Sequence, residues 1–146
     1  MFEKILYPTD FSDVSKKALG FIKQLKDAGA KELIVLHVID ERAIEHTSHL
    51  AEVSLDIKEF EKKREEYANK ETRAIEAELK ESGFEVKTRI EKGIPLREIL
   101  RVEEEEGVSV IVIGSHGKSN INEMLLGSVS EKVMRKSKNP VLVIKR

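Results

Sequence analysis

Short, nearly continuous apolar runs alternate along the chain with longer stretches in which apolar residues recur every three or four positions. That is the pattern of repeated strand–helix units. "KILYP" (4–8) predicts a first strand, ended by Pro8. Asp10 and Ser12 follow as candidate helix N-caps, and Val14, Ala18, Phe21, Ile22 and Leu25 recur at helical spacing. Gly29 is placed to stop this helix in the left-handed conformation. "ELIVLHVID" (32–40) is apolar almost throughout, as a strand covered on both faces should be. Residues 41–56 have no clean period and predict a loop. A long charged helix is expected from about Ile57 to Ser82, with Phe60, Tyr67, Ala68, Ile75 and Leu79 as its buried stripe and Gly83 as its stop.

"FEVKTRIEKG" (84–93) alternates apolar with polar, which predicts a strand near a sheet edge. Pro95 suits the first turn of a short helix carrying Leu96, Ile99, Leu100 and Val102. "VSVIVIG" (108–114) is the most apolar run and predicts a central strand. Gly127 opens a last helix with Val129, Val133 and Met134, and "NPVLVIK" (139–145) closes the chain as a strand. Five strands separated by four helices, joined by right-handed crossovers, predict one doubly wound α/β domain over residues 1–146, with a parallel sheet. Ligands of such sheets sit beyond the strand carboxyl ends where the strand order reverses. Residues 8–12, 38–40 and 113–117 fall at strand carboxyl ends.

Composition narrows the classes. The 146 residues suffice for one core, and 40% hydrophobic with 36% charged residues fits a globular domain with a charged surface. Lys plus Arg (26) nearly balances Asp plus Glu (27), so no net field favours nucleic acid or an anionic membrane. With no cysteine there is no disulfide, thiol catalyst or thiolate metal site, which suits a cytoplasmic setting. Glu3, Lys4 and Asp10 interrupt the start too early for a signal peptide, and no apolar run approaches the ~20 residues of a membrane span.

The candidate chemistry lies in "IGSHGKS" (113–119), whose Gly117-Lys118-Ser119 has the look of a phosphate-binding loop. A Walker loop requires glycine five positions before Gly117, and that position is Val112, inside the predicted strand. A different cradle survives this test. Gly114 and Gly117 flank a tight turn at the end of the strand. Nine residues later Gly127-Ser128-Val129-Ser130 opens a helix, whose amides and dipole favour an anion and whose Ser128 and Ser130 hydroxyls are candidate donors. The bland alternative is a turn and a helix start with no ligand.

The spacing Gly114-x-x-Gly117, nine residues, Gly127-Ser128 resembles the signature of the ATP-binding branch of the universal stress protein family. So do "ILYPTDFSDVSKKAL", "VLHVID" and "GSVSEKVMRKSKNPVLVIKR", so that the resemblance spans the chain. It implies a Rossmann-like parallel sheet of order 3-2-1-4-5 with ATP as ligand and Mg²⁺ or Mn²⁺ on the phosphates. By the same resemblance Pro8, Thr9 and Asp10 lie against the nucleoside, and the backbone of Val38 meets the adenine edge. Ile113, Gly114, His116 and Gly117 border ribose and phosphates, and Gly127, Ser128, Val129 and Ser130 hold phosphate. It also implies a homodimer through the closing strand, an apolar edge in its own right.

Asp10 has two readings: contact with ribose or the phosphate-bound ion, or a helix N-cap. His37 reads as a packed, hydrogen-bonded histidine, and His46 with His49 as a weak metal pair lacking a third ligand. His116 sits in the cradle, Lys118 has no loop to aim it, and Glu103–Glu106 reads as a solvated helix end. No set of residues marks a dedicated catalytic centre. The expected function is therefore a nucleotide-dependent switch in stress response, with a slow ATPase or a dimeric scaffold as alternatives.

Overall fold

The structure, a computed structural model, describes residues 1–42, 54–115 and 127–146. Strands β1 (Lys4–Pro8), β2 (Glu32–Asp40), β3 (Glu85–Gly93), β4 (Val110–Gly114) and β5 (Val141–Ile144) form one parallel sheet in the order β3-β2-β1-β4-β5. Helices α1 (Asp13–Leu25), α2 (Ser54–Glu81), α3 (Pro95–Glu106) and α4 (Ser128–Lys136) cover it. This is the expected α/β architecture, with the order reversing between β1 and β4.

The two-residue period of a strand builds two cores from one sheet. Ile5, Tyr7, Leu33, Val35, Val110 and Val112 pack with Ala18, Leu19 and Ile22 of α1 and Ala68, Ile75 and Leu79 of α2. Leu6, Ile34, Leu36, Ile111 and Ile113 point the other way, onto Ile99 and Val102 of α3 and Val133 of α4. Ser12 caps α1, its hydroxyl accepting from Ser15 N at 3.2 Å. Gly29 and Gly83 follow their helices at φ +100° and +94°, as the punctuation predicts. Among the described residues no helix is long and apolar enough to cross a membrane.

Three expectations change. Helix α2 begins at Ser54, before Ile57, and its buried stripe is Ala68, Thr72, Ile75 and Leu79. Phe60 and Tyr67 stay 41% and 45% exposed. Glu65 pairs with Lys92, near the carboxyl end of β3, which places Phe60, more than a turn earlier in the helix, toward that end of the sheet. The Glu103–Glu106 run is solvated only in part: Glu104 and Glu105 are exposed, as expected, but Glu103 and Glu106 are not. Glu103 is 5% exposed. Glu106 has a side chain only 10% exposed and pairs with Lys87 at 2.6 Å, Arg89 at 3.3 Å and Lys4 at 3.9 Å. Glu105 is held by Arg89 and Arg101, at 2.9 and 2.8 Å.

These partners hold the Glu106 carboxyl below its ordinary range, the Lys87 ammonium foremost. Its contribution is therefore complete above the unfolded-state pKa of about 4.3 and is lost as pH falls through the lower folded value. Urea midpoints taken from pH 6 to pH 3 should fall less steeply for Glu106→Gln than for the parent. Parallel slopes would show that the network is not linked to acid stability.

Candidate functional site

β1 stops at Pro8, which has no N–H to extend a ladder, while β2 runs on to Asp40 beside β3. Thr9 N makes the last bond across this seam, to Leu36 O at 2.8 Å. Main-chain groups of alternate residues face the same strand edge, so Val38 N–H and C=O face β1's side beyond its end, as Leu36 does before it. A notch results, floored by Pro8 and Thr9 and walled by Val38, whose side chain is half-buried on the α3 face.

The turn from β1 into α1 is fixed from below. Thr9 Oγ1 accepts from Phe11 N at 3.0 Å and from Ser15 Oγ at 2.7 Å. Tyr7, fully buried, donates its hydroxyl to Ser15 O at 2.5 Å, and burial pushes its pKa up. Asp10 Oδ1 accepts from Ser12 N at 2.9 Å. Of the two caps expected for α1, Ser12 is the one formed, and Asp10 instead closes the turn before it, half-buried at the sheet's carboxyl end. Phe11, which sequence patterning missed, has φ +65° and is buried. Its ring stacks on His37 with centroids 4.3 Å apart and meets the Tyr67 edge at 5.7 Å. His37 is the packed histidine expected, its Nδ1 2.7 Å from Thr9 O.

The other wall comes from β4 and α4. Ile113 and Gly114 end β4, and Ser115 N donates to Ile144 O at 2.8 Å. Gly127 N donates to Ser115 O at 2.5 Å, and Ser130 Oγ donates to Gly114 O at 2.5 Å. Two glycine segments that are separated in sequence thereby become adjacent. Gly127 is the N-cap of α4 and supplies no side chain, so the amides of Ser128, Val129 and Ser130 form the first turn beside β4. Ser128 is exposed, Val129 half-buried and Ser130 buried. The Ser130 hydroxyl, expected as a candidate phosphate donor, here donates to Gly114 O. His116, Gly117 and Lys118 lie outside the described residues, as do His46, His49 and most of the loop expected at 41–56.

Gly114 has a second reason to be glycine. A Cβ there would lie 3.1 Å from Val14 Cγ1 and 3.2 Å from Ser15 N, so its bareness makes room for α1. Gly114→Ala should cost about 1–2 kcal/mol from overpacking. The urea midpoint should drop with its slope unchanged; an unchanged midpoint would mean that α1 yields freely.

Among the described residues no three His, Asp or Glu side chains are grouped to hold a metal. An ion would need most of its ligands from elsewhere, with Asp10, two residues beyond β1, as one candidate carboxylate.

Comparison with known proteins places this geometry. The model of the universal stress protein family matches residues 1–145. Universal stress protein MJ0577 of Methanocaldococcus jannaschii is 46% identical, covering 100% of this chain and 96% of the relative. A solved structure of MJ0577 superposes with a TM-score of 0.89 at 47% identity, over 100% of this chain and 97% of that one. Universal stress protein YxiE of Bacillus subtilis is 36% identical over 99% of this chain and 100% of its own. A universal stress protein solved in complex with cAMP superposes with a TM-score of 0.65 at 25% identity, over 99% of this chain and 97% of that one. The protein described here belongs to the universal stress protein family.

Proposed function

We propose that this chain binds ATP across the carboxyl ends of β1 and β4 and uses it as a switch in stress response. The observation that carries the reading is the closure of the split glycine motif. Gly127 N on Ser115 O and Ser130 Oγ on Gly114 O, both 2.5 Å, bring the end of β4 against the amino end of α4. Main-chain amides at a helix N-terminus beside a strand end suit the phosphates. Val38 N–H and C=O, facing the notch beyond β1, suit the edge of an adenine. Pro8 and Thr9 lie beneath the nucleoside, and Asp10 accepts from ribose hydroxyls or contacts a phosphate-bound Mg²⁺ or Mn²⁺. Ile113 and Gly114, with His116 and Gly117, border the ribose and phosphates. The relative solved with cAMP lends support from an adenine nucleotide on the same fold.

Binding, not turnover, is the activity proposed, in a cytoplasmic protein. A second copy fits the β5 edge, where Leu142 is 37% exposed between half-buried Val141 and Val143. Mass spectrometry of small molecules released from freshly purified protein tests the ligand. The expected result is ATP at close to one per chain; another ligand class at that stoichiometry would overturn the reading.

A further inference from the structure

Glu103 is a buried carboxylate with no place in the site described above. It sits in the last turn of α3 and reaches the link between α4 and β5. Its Oε1 accepts from Ser137 Oγ at 2.6 Å, Asn139 Nδ2 at 2.8 Å, Lys138 N at 3.1 Å and Asn139 N at 3.2 Å. Ser137 is the C-cap residue of α4, and its own N–H donates to Val133 O at 2.8 Å. Negative charge is disfavoured beside the C-termini of two helices, and a buried charge rarely adds stability over an apolar side chain of the same size. Four donors on one oxygen offset those costs and fix the direction of everything attached to them.

α4 has nine residues, a rod of about 13 Å. Ser130 and Gly127 hold its amino end to β4, Val133 packs into the core, and Glu103 holds the carboxyl end. A helix this short turns as one body, so release of its C-cap pivots it on the contacts at its amino end and changes the angle at which the amides of Ser128–Ser130 point. Hydrogen bonds to an anion weaken steeply with such misalignment.

We propose that Glu103 is a positioning residue for the phosphate half of the site: by clamping the C-cap of α4 it aims the N-terminal amides of that helix. The proposal rests on the nucleotide reading above. Its test compares ATP with adenosine, which makes no phosphate contacts, by calorimetric titration of the parent, Glu103→Ala and Glu103→Gln. Glu103→Ala should lose ATP affinity about tenfold while adenosine affinity holds, since a misaligned charged hydrogen bond is worth about that factor. Glu103→Gln keeps an acceptor oxygen in place and should recover most of the loss. Parallel loss of both ligands in Glu103→Ala, or no loss of either, overturns the proposal. If Glu103→Ala does not fold, Glu103→Asp takes its place: its retracted oxygen should weaken ATP alone, and unchanged ATP affinity overturns the proposal. A parent that binds neither ligand refutes the nucleotide reading and this proposal together. A parent that binds ATP without regard to residue 103 refutes only the proposal.

Discussion

Gly127→Val is expected to weaken ATP binding on the order of 100-fold while leaving the fold intact. Gly127 has φ −61° and ψ 148°, an extended conformation that β-branched residues adopt readily, and its N–H remains available to Ser115 O. The backbone thus tolerates valine. The isopropyl group, however, would stand at the N-cap of α4, where a phosphate must approach the Ser128–Ser130 amides. Displacing two charged hydrogen bonds of that kind costs about 3 kcal/mol, which corresponds to the stated factor. Isothermal titration with ATP measures the loss, and the urea midpoint serves as the control. Parent-like binding in a folded variant would remove the phosphates from α4.

The largest stability effect is expected at Phe11. Phe11→Ala removes a buried ring that stacks on His37 and meets Tyr67, and should cost about 3 kcal/mol, lowering Tm by roughly 10 °C in a domain of this size. Alanine would inherit the positive φ of 65°, so the backbone strain stays. Phe11→Gly relieves that strain, worth about 1 kcal/mol, and should be the milder of the two despite being the smaller side chain. Thermal unfolding of both variants decides it. Glycine more damaging than alanine would mean that the left-handed conformation is not maintained at residue 11.

Much of this architecture is legible in the chain because its central strands are buried on both faces. "KILYP" and "ELIVLHVID" match β1 and β2 residue for residue, since nothing but a covered parallel strand fits so continuous an apolar run. Boundaries fail where another element takes the hydrogen bonds. The strand expected from Val108 starts at Val110, because Val108 N bonds Glu103 O in the turn that ends α3. The strand expected from Asn139 starts at Val141, because Glu103 takes Asn139 N and Pro140 has none to offer.

The helix α2 misled for a different reason. Aromatic residues look like core, yet Phe60 and Tyr67 stay exposed, while polar Thr72 joins the expected Ala68, Ile75 and Leu79 in the buried stripe. Glu103 carried a usable signal: it continues the Ile99–Val102 face at helical spacing, and a charge on a buried stripe asks for partners. Phe11 carried none, because no pattern of polarity encodes a left-handed backbone at a large residue. At the site, glycine spacing indicated which segments meet. It could not indicate that Gly114 is bare for the sake of α1, or that the Ser130 hydroxyl serves the fold.

The central claim is that ATP lies across the carboxyl ends of β1 and β4, against the amino end of α4. Amide hydrogen exchange with and without ATP and Mg²⁺ tests it most directly. The account predicts slowed exchange at Thr9–Asp10, Val38, Gly114–Ser115 and Gly127–Ser130, with little change at the amino ends of the strands. Protection confined to other segments, or none at saturating ATP, would contradict it.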